Sequence, residues 1–287
     1  MKQRIHIDDV TLSCIVEGHG PLVVMLHGFP QTSYAWRKQI PALAKHFRVV
    51  APDLRGYGES DKPARVRDYR IGRLTADVVG LIHALGDDRA HIVGHDWGGA
   101  VAWATAQAHP EAVDRLAVIN APHPAAFLRE MRRFSRQALR SWYILFFQLP
   151  RIPERALLRD GAARIARLLR ESAIGDAAFS EVDLMEYRRA FSLPGAATAS
   201  LSYYRAVFRD ILARRLPDAK GSISAPTLII WGEKDIALGT ELTYGLDRFI
   251  DAELRIERVP NTSHWVNEER PELVNRLLIE FLSEPES

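Results

Sequence analysis

The hexapeptide Gly94-His95-Asp96-Trp97-Gly98-Gly99 constrains this chain more than any other stretch. His91-Ile92-Val93 before it reads as a short buried strand, and residues 100–106 after it read as a helix. Glycines on both sides of one reactive residue are what a sharp strand-to-helix turn requires, because side chains there would collide. The residue at the centre of this turn is an aspartate. A carboxylate attacks saturated carbon well and leaves an ester on the protein, which water must then hydrolyse. The hexapeptide therefore points to hydrolytic displacement at an sp3 carbon.

The rest of the chain supplies a frame for such a turn. Short runs rich in Val and Ile lie at 5–7, 11–16, 22–26, 48–51, 91–93, 116–119, 227–231 and 254–259. Segments of helical period lie near 33–45, 71–85, 98–109, 239–249 and 271–282. After the first two strands the order is strand then helix, repeated, which implies a mostly parallel sheet covered on both faces. Continuously apolar strands agree with burial on both sides. With 47% hydrophobic and 26% charged residues, the chain has the ordinary globular composition needed for a sizeable core.

Other classes are disfavoured by what is missing. A net charge of +2 gives no reason to expect nucleic acid. Cys14 is the only cysteine, so no internal disulfide is possible and a reducing cytoplasm is the natural setting. The first nine residues contain no apolar core of a signal peptide, and no apolar run approaches transmembrane length. Neither an anchor nor a membrane partner is expected. There is no His-Glu-x-x-His motif, and with a single thiol no metal or other cofactor is expected.

The strand-helix alternation breaks between about Pro122 and Pro217. That stretch has helical patterning, no convincing strand, and a dense run of arginines that includes Arg129, Arg132, Arg133, Arg136 and Arg140. Such a run is ordinarily the solvated face of helices, and no aromatics interleave it as in a nucleic-acid groove. Residues 122–217 are expected to form a helical cap inserted into a core made of 1–121 and 218–287.

The hexapeptide resembles the nucleophile elbow of the α/β-hydrolases, normally written around serine. That resemblance implies an acid after a late strand, then a histidine between the final strand and final helix. Thr227-Leu228-Ile229-Ile230-Trp231-Gly232-Glu233-Lys234-Asp235 supplies the strand, a glycine turn and Asp235. The other position used for this carboxylate, after the last strand before the cap, holds Asn120. His264, in Val259-Pro260-Asn261-Thr262-Ser263-His264-Trp265, is the histidine in the implied order and loop. A neutral imidazole with pKa near ~6.5 can take a proton from water at neutral pH. Backbone N–H groups of Trp97 and Phe29 are the implied oxyanion donors; Pro30, next to Phe29, has no N–H. His27 and His95 are read as supporting residues.

His27-Gly28-Phe29-Pro30, Asp53-Leu54-Arg55-Gly56-Tyr57-Gly58-Glu59-Ser60 and the elbow together are similar to the α/β-hydrolase-fold epoxide hydrolases. Haloalkane and haloacetate dehalogenases share much of this frame, and the resemblance covers essentially the whole chain. Two cap segments favour the epoxide hydrolases. Ser141-Trp142-Tyr143-Ile144-Leu145-Phe146-Phe147 resembles the segment carrying a ring-opening tyrosine, which implies Tyr143; Leu201-Ser202-Tyr203-Tyr204-Arg205 resembles the second, which implies Tyr204. Opening an epoxide expels an alkoxide, and a phenol of pKa ~10 can stabilise and protonate it. Halide departure instead needs N–H donors such as paired indoles.

The dehalogenase alternative rests on Trp97, with Trp142 as a second indole. Phe29 stands where many haloalkane dehalogenases place an asparagine, and Trp97-Gly98-Gly99-Ala100 lacks the arginines with which haloacetate dehalogenases grip a carboxylate. A non-catalytic ligand-binding homologue is the third reading. The expectation is an epoxide hydrolase with catalytic Asp96, His264, Asp235, Tyr143 and Tyr204. Trp36, Trp142 and Trp265 are expected in the substrate pocket. Its partners would be a small hydrophobic epoxide and water, with homodimerisation left open.

Overall fold

Alternate residues of the central strands point to opposite faces, and the apolar side chains divide accordingly. In the computed structural model, which describes residues 2–133, 135–175, 177–213 and 222–284, eight strands form. They are β1 (Lys2–Ile7), β2 (Val10–Glu17), β3 (Leu22–Leu26), β4 (Arg48–Pro52), β5 (Ala90–His95), β6 (Val113–Ile119), β7 (Thr227–Gly232) and β8 (Leu254–Val259). They make one sheet in the order β1-β2-β4-β3-β5-β6-β7-β8. The pairs β1–β2 and β2–β4 are antiparallel, and all other neighbours are parallel. This is the mostly parallel α/β sheet expected.

The helices are α1 (Ile40–Leu43), α2 (Ile71–Ala84), α3 (Trp97–Ala108), α4 (Pro124–Arg132), α5 (Arg136–Arg140), α6 (Trp142–Phe146), α7 (Ile152–Ser172), α8 (Glu181–Phe191), α9 (Ala196–Leu212), α10 (Val266–Glu269) and α11 (Pro271–Leu282). One face of the sheet carries Val24, Leu26, Ile92, Leu116 and Ile229, and is covered by α2 and α3. The other face carries Val23, Met25, Val93, Ala117 and Ile230, and is covered by α1 and α11. Each strand thus feeds two separate cores, which is why its sequence is apolar without a break.

Two expected helices are broken. The segment 33–45 is a 3₁₀ turn at Ser33–Trp36 followed by the short α1. Pro41 lies in the first turn of α1, and a continuous helix through it would lose an N–H and clash with the carbonyl four residues back. The segment 239–249 is two 3₁₀ turns, Thr240–Thr243 and Asp247–Phe249, separated by Gly245 at φ +64°. That left-handed residue cannot lie inside a right-handed helix.

Between β6 and β7 the described chain is helical, from α4 to α9, with α7 interrupted at Asp160, Gly161 and Ala162, all at positive φ. Buried polar ties join this insertion to the sheet domain. Tyr203 Oη donates to the Arg55 carbonyl at 2.7 Å, and Tyr187 Oη donates to Glu268 at 3.0 Å. Inside the insertion, buried Arg205 pairs with Glu154 at 2.7 Å and donates to the carbonyls of Phe147 and Leu149, fixing α9 against the end of α6. The expected boundary at 121/122 falls in the loop before α4; that at 217/218 lies outside the described residues. No described helix is long and apolar enough to cross a membrane.

Candidate active site

The elbow is built by close backbone approach. Asp96 sits between β5 and α3 at φ 51°, ψ −119°, a sparsely populated conformation that costs roughly 1–3 kcal/mol. A Cβ at Gly98 would lie 2.0 Å from the Leu26 carbonyl oxygen, and one at Gly28 would lie 2.3 Å from Asp96 Cβ. Both positions therefore exclude any larger residue. The strain and the tight packing together hold the Asp96 carboxylate above the ends of β3 and β5.

Its two oxygens have different surroundings. Oδ1 accepts the Phe29 backbone N–H at 2.7 Å, and the Trp97 backbone N–H also bonds to the carboxylate. Oδ2 faces His264 Nε2 at 3.7 Å, beyond hydrogen-bond distance. Burial raises the Asp96 pKa, while His264 and the two backbone donors pull against that rise.

His264 is oriented from behind. Its Nδ1–H donates to Asp235 Oδ2 at 2.6 Å, which leaves the Nε2 lone pair directed at Asp96. Burial opposes charge on the imidazole, but the Asp235 carboxylate, helped by Asp96 and Glu269, outweighs it and the pKa is raised. Asp235 is buried too, and burial alone would push it up. The imidazole and hydrogen bonds from Leu238 N–H and the Asn120 side chain bring it below the ordinary carboxylate value.

His27 and His95 support this arrangement. His95 Nε2–H donates to the His264 carbonyl at 3.0 Å, and its ring packs 4.7 Å from the His264 ring. Burial pushes its pKa down to about 3, so it is neutral. His27 Nε2 accepts the Leu54 N–H at 3.0 Å, so its Nδ1–H donates to the Gly28 carbonyl at 3.0 Å and braces the Phe29 loop.

A cavity of about 330 Å³ opens beside Asp96. Trp97, Ala100 and Ala104 from the sheet domain line it, as do Tyr143, Tyr204 and Phe208 from the insertion. The Tyr143 and Tyr204 rings are 6.0 Å apart, and Tyr204 also packs edge-on against Phe29 and Trp97. Burial, and then the Asp96 charge, drive both phenol pKa values upward, so both keep their protons at neutral pH. Asp96, Tyr143 and Tyr204, far apart in sequence, are thus brought to one cavity.

The three tryptophans expected in the pocket do not line it. Trp36 is 0% exposed in the core on the opposite face of the sheet, under α1 and α11. Trp142 is 65% exposed, because α6 turns its neighbours Tyr143 and Ile144 inward instead. Trp265 is buried against His95 and His264, and its indole N–H donates to Ser172 at 2.8 Å, tying the histidine loop to α7.

Asn120 has a role that its place in the sequence marks only as a missing carboxylate. In the fold it sits at φ +39° after β6, donates from Nδ2 to Asp235 Oδ2 at 2.8 Å, and accepts the Gly232 N–H at 2.8 Å. The signal available was an asparagine, a residue tolerant of positive φ, at the end of the strand beside the elbow strand. Asn120→Ala removes one hydrogen bond to a buried charge, and is expected to slow steady-state turnover roughly 10–100-fold. On a pathway through an Asp96 ester, stopped-flow should place that loss in ester hydrolysis, with ester formation nearly unchanged. An equal loss in both steps would indicate general disruption.

Comparison with known proteins shows the family to which this fold belongs. A sequence profile described as the α/β hydrolase fold matches residues 21–271. The chain is 39% identical to the AB hydrolase superfamily protein YfhM of Bacillus subtilis, over 98% of this chain and 97% of that protein. It is 38% identical to epoxide hydrolase 3 of Xenopus tropicalis, over 92% of this chain and 72% of the relative. A crystal structure of Bacillus megaterium epoxide hydrolase in complex with an inhibitor superposes with a TM-score of 0.92, at 32% identity, covering 98% of this chain and 100% of the other. The chain belongs to the α/β-hydrolase family. Within that family it is epoxide-hydrolase-like.

Proposed function

We propose that this protein hydrolyses epoxides to vicinal diols through an ester on Asp96. The observation that carries the reading is the convergence of an aspartate elbow and two protonated phenols on one largely apolar cavity. Asp96 Oδ2 attacks an epoxide carbon in line with the breaking C–O bond. Tyr143 and Tyr204 hydrogen-bond the departing oxygen, and one of them supplies its proton. Oδ1, held by the Phe29 N–H, becomes the carbonyl oxygen of the new ester.

Hydrolysis then uses the other groups. His264 Nε2 takes a proton from water as that water adds to the ester carbonyl. Asp235 stabilises the imidazolium through the Nδ1 hydrogen bond. Negative charge develops on Oδ1, which already accepts the Phe29 N–H, with the Trp97 N–H as the second donor to the same group. On collapse the His264 imidazolium returns its proton to Oδ2, which leaves as the diol's new hydroxyl; the water oxygen stays on Asp96, and the remaining water proton restores the phenol. The helical insertion acts as the cap that carries both phenols over Asp96.

One observation weighs against a dehalogenase. A leaving halide needs two N–H donors, and Trp97 is the only indole among the described cavity-lining residues, since Trp142 points outward. The two readings separate in a small panel of aryl and alkyl epoxides and haloalkanes, with diol and halide measured in parallel. Diol formation without halide release is the expected result. Halide release as the dominant activity would reverse the assignment, and no turnover of either class would favour a ligand-binding role.

A further inference from the structure

The insertion carries a charge and polarity pattern that the chemistry above leaves unused. Residues 122–213 contain 15 arginines, no lysine and nine acidic residues, although the whole chain is only +2. The imbalance is concentrated in α5, α6 and the first turns of α7. From Arg132 to Arg159, every exposed described residue is an arginine, a proline or a large apolar side chain. Leu139, Trp142 and Leu145 recur at three-residue spacing and are 77%, 65% and 63% exposed. Leu149 and Ile152 continue the series, and the exposed Arg136, Arg151 and Arg155 flank it. Ile236 adds to the same region, because Gln137 of α5 donates to the neighbouring Ala237 carbonyl at 2.8 Å.

Exposed apolar groups gathered in this way mark an interaction surface. We propose that the outer face of α5, α6 and the start of α7 docks on an anionic lipid surface, with Trp142 and Leu145 entering the interface and the arginines meeting the headgroups. Charge selects this occupant. From Arg132 to Arg159 the exposed charges are all arginines, and the exposed acids Asp160, paired with Arg159, and Glu233, near Ile236, lie only at the edge. A second copy of the same face would set arginine mainly against arginine, whereas anionic headgroups complement the arginines that dominate it. The composition fits the same partner. Tryptophan prefers the bilayer interface, and arginine can lay its stem along apolar material while its charge stays in water. Binding of this kind needs no spanning helix, only a short apolar face with cationic flanks. It departs from the expectation of no membrane partner, which rested on the lack of an apolar leader and of a spanning run. Because α6 also sets Tyr143 and Ile144 in the cavity wall, the docking face adjoins the cavity.

The test is sedimentation of the full-length protein with vesicles, and it does not depend on epoxide turnover. The protein should pellet with phosphatidylcholine vesicles carrying about a third phosphatidylglycerol, should stay in solution with phosphatidylcholine alone, and should be released by salt. Arg136→Gln and Arg151→Gln should each weaken binding about fivefold. Leu139→Ser combined with Leu145→Ser should abolish it. Quenching by brominated lipid should disappear in Trp142→Phe. Should the double serine variant misfold by circular dichroism, the two exposed arginine variants still decide the matter. No pelleting with anionic vesicles overturns the proposal, as does pelleting that these changes leave intact. A soluble dimer dispersed by Leu145→Ser, without vesicle binding, would assign the face to a second copy instead.

Discussion

Incubated with an epoxide that the wild-type protein turns over, the His264→Gln variant is expected to gain the mass of one substrate molecule and keep it. In the proposed pathway, attack by Asp96 requires a carboxylate and an acid for the leaving oxygen, and neither comes from His264. Hydrolysis of the ester requires a base at Nε2, the only nitrogen of that ring left free by the Asp235 hydrogen bond. Glutamine fills similar space but cannot accept a proton from water. The loss should reach roughly 10²–10⁴ in the hydrolytic step, with alkylation much less affected. Intact-protein mass spectrometry detects the adduct, and peptide mapping should locate it on the fragment containing Asp96. An unmodified protein after prolonged incubation would show that the ester is not on the pathway.

The second large effect concerns the phenols. Tyr143→Phe and Tyr204→Phe each delete one O–H while keeping the ring contacts, which for Tyr204 include Phe29, Trp97 and Phe147. General-acid assistance is worth ~10²–10⁴ in rate. Both phenols line the cavity beside Asp96, so one can partly cover for the other. Each single change should slow ester formation substantially, and the double change should nearly abolish it. Ester hydrolysis should change far less, because His264 and Asp235 are untouched. Pre-steady-state alkylation of the four proteins, each first shown to be folded, measures this. A double variant that opens epoxides at nearly the wild-type rate would remove the tyrosines from the mechanism and bring the dehalogenase reading forward, with Trp97 as the next residue to change.

Local patterns in the sequence carry most of the architecture. The unbroken apolar runs at β3, β5, β6 and β7 follow from burial on both sheet faces, and they locate those strands without any knowledge of neighbours. The glycines around Asp96 are equally legible, because their spacing answers a short-range steric demand that β3 and its loop impose on the elbow. Helix breaks are harder to read. Pro41 and Gly245 stand in the sequence, but helical periodicity on either side masks them.

The candidate site divides along similar lines. Asp96, His264 and Asp235 are named by loop position relative to strands, and a parallel sheet delivers the ends of successive strands to one edge. Their convergence at 2.6 Å and 3.7 Å needs only the strand order to be right. The tryptophans do not share that advantage. Trp36, Trp142 and Trp265 are aromatic residues near motif segments, yet one lies beneath the sheet, one faces outward and one packs behind the histidine.

The strand-helix alternation and the elbow are therefore written in the chain itself, because each is encoded by residues within a turn or two of one another. The order Asp96, Asp235, His264 is instead legible through the resemblance of the elbow to those of the α/β-hydrolases. Long-range packing settles the rest: which face each aromatic side chain meets, that Asn120 braces Asp235, and that Tyr143 and Tyr204 share a cavity with Asp96. Those outcomes depend on how helices rotate about their axes and seat on the sheet. A modest rotation of α6 would exchange a cavity wall for an exposed face, as between Tyr143 and Trp142, and no neighbour in the chain sets that angle.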